Sequence, residues 1–262
     1  MIICFPLNGQ SVSTIIGARS GGLGNLSTCL SDEWSLHNNV GSLGKTDHTI
    51  AAFAYDSRPG LQGANRTAFV FSNPLPLGAI AVGLYRFGDH VYSEQILSVG
   101  YGNTFGLASL GVKLNYVQYA AEGFGHKGVF SLSAGGLAQL TPQFSIGVHV
   151  TNLTPSKINT SKDEEEYIPT LLIIGIGVKA SDKVFISAEI EKDLNFKTIW
   201  KTGVEYFAHK KIIFRTGFTM NPSAGYFGLG FRPKKFKLDY ALRYEPSLGQ
   251  SHQATIGYTL QK

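Results

Sequence analysis

The stretch KFKLDYALRYE, residues 235–245, alternates between apolar and polar side chains along its whole length. One parity of the numbering carries the bulky apolar residues Phe236, Leu238, Tyr240, Leu242 and Tyr244. The other parity carries Lys237, Asp239, Ala241, Arg243 and Glu245. Because successive side chains of a β-strand point to opposite faces, this period of two predicts a strand with one apolar and one polar face.

The same alternation recurs at 107–117, 211–220 and 224–231. The second face of these strands carries mainly glycine and serine with few charges, whereas the solvated face of a soluble sandwich would be rich in Lys, Glu and Thr. Bulky apolar faces that end in Tyr or Phe fit contact with lipid, and small polar faces fit a crowded lumen. The polar side chains expected in that lumen are Lys113, Asn115, Lys201, Glu205, Arg215, Lys237, Asp239 and Arg243.

The composition also favours a membrane barrel. Charged residues make up 16% of the 262-residue chain, against roughly 25% in soluble domains, while aromatic residues reach 12% and glycines number 31. The longest apolar run, IPTLLIIGIGV at 168–178, is far shorter than the ~20 residues of a spanning helix. Since closed barrels are the other structure that satisfies the backbone in lipid, the chain is predicted to cross a membrane as strands.

We predict an all-β fold, a closed antiparallel transmembrane β-barrel of about 14 strands, an even number as in single-chain outer-membrane barrels. The predicted strands are 49–57, 66–73, 78–87, 90–102, 105–120, 127–140, 143–153, 167–179, 183–192, 196–208, 210–220, 223–232, 235–245 and 252–260. Short connections alternate with longer ones such as the acidic 154–167. Since periplasmic turns are short and outer loops long, the N-terminus is expected in the periplasm.

The first residues, MIICFPLNGQS, resemble the last part of a secretory signal but lack its basic start. We therefore expect residues 1–10 to be the remnant of a signal peptide; a plain apolar N-terminal strand is the alternative. Cys4 would leave with that signal, and Cys29 would remain without a disulfide partner. The predicted organisation is then an N-terminal segment at 11–47, followed by the barrel at 48–262.

The segment at 17–43, GARSGGLGNLSTCLSDEWSLHNNVGSL, begins like a phosphate-binding loop. A dinucleotide site requires a strand, then G-x-G-x-x-G, then a helix. Gly21, Gly22 and Gly24 do not have this spacing, and no strong strand precedes them. A nucleotide site is therefore not expected.

The segment resembles the N-terminal part of the PorV/PorQ-like, FadL-type outer-membrane barrels of Bacteroidota. Those chains begin with G-A-R-x-x-G-[ML]-G, then an acidic and an aromatic residue, then an Asn-containing turn that ends in leucine. The corresponding stretches here are 17–24, 31–35 and 38–43, although Val40 stands where many members have proline or glutamine. The resemblance is sharp over about 27 residues and loose over the strands.

The resemblance implies that this segment folds into or beneath the barrel mouth as a short periplasmic or lumenal hatch. Its expected hatch residues are Gly17, Arg19, Gly22, Gly24, Asp32, Trp34 and Asn39. The residue chemistry permits this independently, because Asp32 can cap a short helix running from Glu33, Trp34 and Leu36 can pack on the wall, and glycines allow close approach. An ordinary periplasmic tail is the alternative.

Residue patterns for catalysis or metal binding are weak. The seven histidines are scattered, and no G-x-S-x-G motif occurs, so we expect no metal, no cofactor and no enzymatic activity. His149 with Ser145 is the nearest approach to a hydrolase pair, and it lacks an orienting third group.

The acidic run at 163–166 is a solvated loop tip or a site for a cation or partner. The net charge of +5 comes from turns and lumen pairs, so no nucleic-acid partner is expected.

Two functions follow for a barrel in the outer membrane of a Gram-negative cell, whose one certain partner would be outer-membrane lipid. The PorV/PorQ resemblance implies an accessory or interaction barrel of type IX secretion and gliding, with other secretion-system or outer-membrane proteins as partners. The alternative is a FadL-like transporter of small hydrophobic molecules. A transporter requires an apolar pocket that reaches the hatch, and the polar inward set weighs modestly against a fatty-acid path.

Overall fold

The computed structural model describes residues 14–61, 63–123, 125–154, 157–161, 164–167, 169–193 and 196–261. Among these residues, helical structure is found only near the start, in α1 (Ala18–Gly22), α2 (Ser35–Asn38) and a 3-10 helix (Val40–Lys45). No helix among the described residues is long and apolar enough to cross a membrane. The predicted signal remnant at 1–10 lies outside the described residues.

The remaining structure is a closed barrel of fourteen antiparallel strands, which confirms the predicted fold class. Each wall strand pairs with the next wall strand along the chain, with β10 following β7, and β1 closes the wall against β16. The wall strands are β1 (Thr49–Ser57), β2 (Arg66–Pro74), β3 (Ala79–Gly88), β4 (Tyr92–Phe105), β5 (Ala108–Ala121), β6 (Gly125–Gln139), β7 (Phe144–Thr151), β10 (Leu171–Ser181), β11 (Val184–Asp193), β12 (Ile199–His209), β13 (Ile212–Met220), β14 (Ala224–Phe231), β15 (Phe236–Glu245) and β16 (Gly249–Gln261). Two further strands, β8 (Lys157–Ser161) and β9 (Glu164–Tyr167), lie outside the wall.

The structure differs from the predicted strands mainly in the long connection after β7. That connection contains a separate hairpin, β8–β9, and β10 begins at Leu171 rather than at 167. The predicted acidic tip at 163–166 falls partly outside the described residues, and its last three residues begin β9. A polar hairpin without an alternating apolar face leaves no period-two signal.

The two faces of the wall have opposite chemistry. Large apolar side chains point outward, and Leu114, Ile174 and Phe227 are each 47–49% exposed. Along β15, Tyr240 is 41% exposed and Asp239 only 5%, as the predicted register requires. An apolar outer belt around a polar interior is the arrangement of a transmembrane barrel.

The N-terminal segment, residues 14–47, lies inside the barrel. Most of it occupies the half nearer the short turns, such as 75–78 and 106–107, which we call the turn end; the other end is the loop end. The start of the segment lies nearer the loop end, where Ile15 O accepts from Arg66 at 3.3 Å. Its apolar residues pack on inward wall residues, and the cluster comprises Ile16, Trp34, Leu36, Val40, Leu43, Ala52, Ala54, Ala68, Val70, Ala79, Ala81, Tyr85, Ile96 and Val117. The segment and one side of the inner wall therefore form the apolar core together.

Glycines of the wall make room for this segment. At each of them a Cβ atom would meet an atom of the N-terminal segment within 3.0 Å. This glycine belt comprises Gly83 on β3, Gly100 and Gly102 on β4, Gly111 on β5, Gly135 on β6, Gly147 on β7, Gly175 and Gly177 on β10, Gly203 on β12, Gly217 on β13 and Gly228 on β14. The high glycine content of the sequence thus serves close backbone packing against the segment.

Candidate functional site

A network of ion pairs joins the N-terminal segment to the wall at the turn end. Arg19 of α1 donates from Nη2 to Glu205 Oε1 at 2.7 Å and from Nε to Glu205 Oε2 at 3.0 Å. Arg19 also lies 3.4 Å from Asp32 within the segment. Burial alone would lower the pKa of Arg19, but the adjacent Glu205 carboxylate raises it above its ordinary value. The guanidinium is therefore held charged.

The network continues through the wall. Arg215 donates to Glu205 and to Asp239, both at 2.6 Å, and its side chain has no exposed surface. At the edge, Arg232 donates to Asp239 at 2.9 Å. Breaking a buried pair of this kind leaves an uncompensated charge, which makes such networks costly to disrupt.

A second ion pair, formed by Lys237 of β15, holds the segment near its other helix. Lys237 Nζ lies 2.9 Å from Glu33 Oε2. Burial opposes ionisation of Glu33, but the positive charge of Lys237 outweighs it and lowers the pKa of Glu33. Burial and the charge of Glu33 raise the pKa of the neighbouring Asp32. This end of the segment is thus fixed by paired charges under tight burial.

The wall also holds the segment through backbone donors. Glu189, 2% exposed on β11, accepts from Ser27 N at 2.6 Å and from Thr28 Oγ1 at 2.7 Å. Asn39 donates to Thr28 O at 2.7 Å and to Gly136 O of β6 at 3.1 Å. Sequence reasoning missed Glu189, because nothing in an alternating strand indicates which carboxylate meets a loop on the far side of a barrel.

The predicted hatch residues all lie in this buried segment. Trp34 is 1% exposed and covers Gly17, where a Cβ atom would lie 2.7 Å from the indole Cγ. Gly22 faces Gly228, and Gly24 faces the backbone of β13 at Phe218. These positions are consistent with a hatch, whose gating role is taken up below.

The predicted helix cap is shifted. Asp32 Oδ1 accepts from Trp34 N at 2.9 Å, and the helix begins at Ser35 rather than at Glu33. The carboxylate therefore closes the turn that precedes α2 and does not bond the helix's own donors. Asn39 acts as the cap of the following 3-10 helix, since its Oδ1 accepts from Gly41 N at 3.0 Å.

A cavity of about 580 Å³ occupies the loop half of the lumen, above the segment. One side is mainly apolar and aromatic and is lined by Tyr85, Phe87, Ile96, Val117 and Tyr119 of β3–β5, with the carboxylate of Glu94 among them. The opposite side is charged and includes Glu191, Lys201, Arg243 and Glu245. Asn25, His37 and Lys113 also line it, and the first two belong to the segment, which forms the cavity floor. The volume is within the roughly 300–1,000 Å³ of small-molecule sites.

The remaining predicted lumen residues lie in three places. Lys201 pairs with Glu191 at 2.6 Å and also donates to Asn25 O at 3.1 Å. Near the loop end, Arg243 pairs with Glu245 and Arg66 with Asp56. Asn115 and Lys113 lie lower, against the cavity floor.

His37 should make docking of the segment depend on pH. Burial, and then the positive charge of Lys113, lower its pKa from 6.5 to about 4, partly offset by its bond to Phe69 O at 3.3 Å. Between these values an undocked His37 binds a proton that the docked one does not. Docking is therefore strongest above pH 6.5 and weakens as the pH falls, by about 3 kcal/mol below pH 4.

Acrylamide quenching of Trp34 between pH 7.5 and 4 measures this effect, in a Trp200→Phe background because Trp200 is 52% exposed. His37→Gln is the matched control, since its amide can still donate to the Phe69 carbonyl but does not titrate in this range. Quenching that rises equally in both proteins would assign the pH dependence to other groups, such as Asp32.

The weaker predicted sites do not assemble into chemistry. Ser145 and His149 are both buried, but they lie four residues apart on β7, roughly 13 Å along the strand. Ser145 Oγ donates to Gly177 O at 3.3 Å instead. Within the described part of the chain, no group of three His, Cys, Asp or Glu residues could hold a metal, and Cys29 is a buried free thiol. Cys4 lies outside that part.

These features define a class of protein: a fourteen-stranded transmembrane barrel whose N-terminal segment closes one half of the lumen beneath a cavity.

No protein-family model matches the sequence, and a search of curated proteins finds no match. Solved structures do match. The CymD monoaromatic hydrocarbon channel is 12% identical with a TM-score of 0.70, over 94% of this chain and 97% of that one.

Two further structures are similar over nearly their whole length. The toluene transporter TodX of Pseudomonas putida is 11% identical with a TM-score of 0.69, over 93% of this chain and 97% of that one. A FadL homologue of Pseudomonas aeruginosa is 10% identical with a TM-score of 0.67, over 95% of this chain and 100% of that one. At these identities the likeness shows the fold, so the chain has the fold of the FadL-type barrels.

Proposed function

We propose that this chain is an outer-membrane channel for small, largely apolar molecules, in which residues 14–47 are the hatch. The observation that carries the proposal is the cavity of about 580 Å³, which has an apolar, aromatic side and is floored by the hatch. The similar folds add support, because CymD is a monoaromatic hydrocarbon channel and TodX is a toluene transporter. A solute would enter at the loop end and pass only when the hatch moves.

The hatch fills the turn half of the lumen, so its removal should open the barrel. Every wall strand begins at or after Thr49, and the glycine belt leaves little side-chain volume at the level of the hatch. Deleting residues 11–45 should therefore give a folded barrel that is more permeable to small neutral solutes in liposome swelling. Unchanged permeability would show that something other than the hatch closes the lumen.

A single substitution should loosen the hatch in place. A Cβ atom at Gly22 would lie 2.7 Å from Gly228 Cα, so Gly22→Val forces the hatch away from β14. We expect swelling rates to rise toward those of the deletion. Gly225→Val is the matched control on β14, the strand that Gly22 faces, since a Cβ at Gly225 meets nothing within 4 Å. Equal rates for both variants would argue against a hatch that seals by close packing.

An accessory barrel of the PorV/PorQ type, acting in type IX secretion in Bacteroidota, is the second candidate. It is favoured by the buried ion pairs around Arg215, which fill the lumen at the turn end as a scaffold would. Gentle detergent extraction followed by native gels tests this candidate. A stable complex with secretion proteins, together with no solute flux even after hatch deletion, would favour it over the channel.

A further inference from the structure

Lys113 on β5 is a buried lumen cation without a carboxylate partner among the described residues. Lys113 is 5% exposed and lines the floor of the cavity. Its ammonium group makes one hydrogen bond there, from Nζ to His37 O at 3.0 Å. An ammonium group has three donors, so two remain available at a site where an uncompensated charge is costly.

Comparison with Lys201 shows what is unusual. Lys201 also donates to a carbonyl of the hatch, Asn25 O, but Glu191 lies 2.6 Å from its Nζ and neutralises it. The histidine that Lys113 meets cannot do this, since His37 carries no negative charge. The two lysines therefore share a structural contact with the hatch and differ in their electrostatic balance.

Neutral polar side chains stand directly above Lys113. Along paired strands, Gly100, Lys113 and Ser133 are in register, and Ser98, Asn115 and Ser131 form the next inward layer. Ser98 Oγ donates to Asn115 Oδ1 at 2.7 Å, and Asn115 Nδ2 donates to Ser133 Oγ at 3.3 Å. These hydroxyl and amide groups add hydrogen-bonding capacity beside the cation without adding negative charge.

The layers nearer the loop end are apolar and aromatic apart from Glu94, a buried carboxylate of β4 that is in register with Phe87 and Tyr119. Ile96, Val117 and Val129 are in register, and Tyr85 pairs with Ile96 from β3. One layer further out, Phe87 and Tyr119 face the cavity. Successive inward layers are two residues apart, roughly 7 Å along a strand, so a small amphiphile spans the distance from the cation to the apolar side.

We propose that Lys113, with Ser133 and Asn115, binds the carboxylate of a small aromatic or short-chain acid whose apolar part lies against Ile96 and Val117. The site rests on the proposed channel function and narrows its solutes from neutral apolar molecules to amphiphilic acids. Arg58 also lines the cavity near its mouth, where Arg66 and Arg243 are each paired with a carboxylate.

The test compares phenylacetate with its neutral isostere phenylacetamide by calorimetry on the purified full chain in detergent at pH 7.5. The wild-type protein should bind phenylacetate at least about tenfold more tightly, the usual size of a charge-assisted hydrogen bond. Lys113→Met should abolish this preference and leave the binding of phenylacetamide unchanged. Lys113→Arg should retain it, which covers the case in which the methionine variant does not fold.

The matched control is the double variant Lys201→Met with Glu191→Gln, which removes another lumen lysine at constant net charge. It should keep the preference for the acid. Equal binding of acid and amide by wild type, or equal loss of both in Lys113→Met, would overturn the site. If the site is correct but the proposed channel function is wrong, the result is different. The acid then binds at Lys113, yet neither compound crosses liposome membranes even when the hatch is deleted.

Discussion

Replacing Arg215 by methionine should destabilise the barrel by about 3 kcal/mol or more, the usual cost of breaking a buried ion pair from one side. Arg215 bridges Glu205 and Asp239, and both carboxylates are almost fully buried. Without the guanidinium each keeps one arginine, Arg19 or Arg232, and two negative charges face each other across the gap. Urea titration of the folded gel band in lipid vesicles measures the loss.

Arg232→Met is the control for this effect. Arg232 pairs with the same Asp239, but its side chain is 21% exposed, so water can replace the pair. We expect a change of about 1 kcal/mol or less. If both substitutions cost the same, the stability of the turn end does not depend on how deeply the network is buried.

Leu114→Arg should cost about 2–4 kcal/mol in a bilayer, because a charge on the lipid face is most unfavourable at the midplane. Leu114 is 49% exposed at the middle of β5, and its neighbours across the pairing are Val99 and Leu132. On a soluble protein, an arginine at so exposed a position would change the stability by about 0.5 kcal/mol or less. The result therefore separates a membrane wall from a soluble surface.

Leu107→Arg provides the comparison at the barrel end. Leu107 is 64% exposed in the turn between β4 and β5, beyond the apolar belt. There the cost should fall to about 0–1 kcal/mol. Equal costs at both positions, measured by the same urea titration in vesicles, would contradict the placement of the belt.

The wall was predictable because its chemistry repeats every second residue. In β15, Tyr240 and Asp239 face opposite sides as the pattern of 235–245 requires, and the fourteen wall strands lie close to their predicted bounds. The β8–β9 hairpin was missed because a polar stretch has no apolar face to reveal its period. The helix start was wrong by two residues because Asp32 bonds Trp34 N in a turn before α2.

The site was predictable only as a list of inward residues. Arg215, Glu205 and Asp239 could be assigned to the lumen by parity, but their pairing depends on which strands adjoin. Contacts across the lumen, such as Glu189 with Ser27, carry no local signal at all. Likewise, the closed barrel determines which residue of the N-terminal segment each belt glycine meets. The residues beside that glycine in the sequence do not indicate it.

The place where the hatch packs in the barrel affects the order in which the chain folds. Helix α1, among the first residues described, packs on β13–β16, which are the last strands of the chain. The surface that α1 packs on exists only after these last strands have paired, whereas the 3-10 helix packs on β4–β6, so the whole segment docks only when both parts of the wall are in place. Contacts between such distant parts of a sequence form slowly, because a large loop must close before they stabilise anything. We therefore expect a newly formed barrel to have an open lumen until the segment docks and closes it.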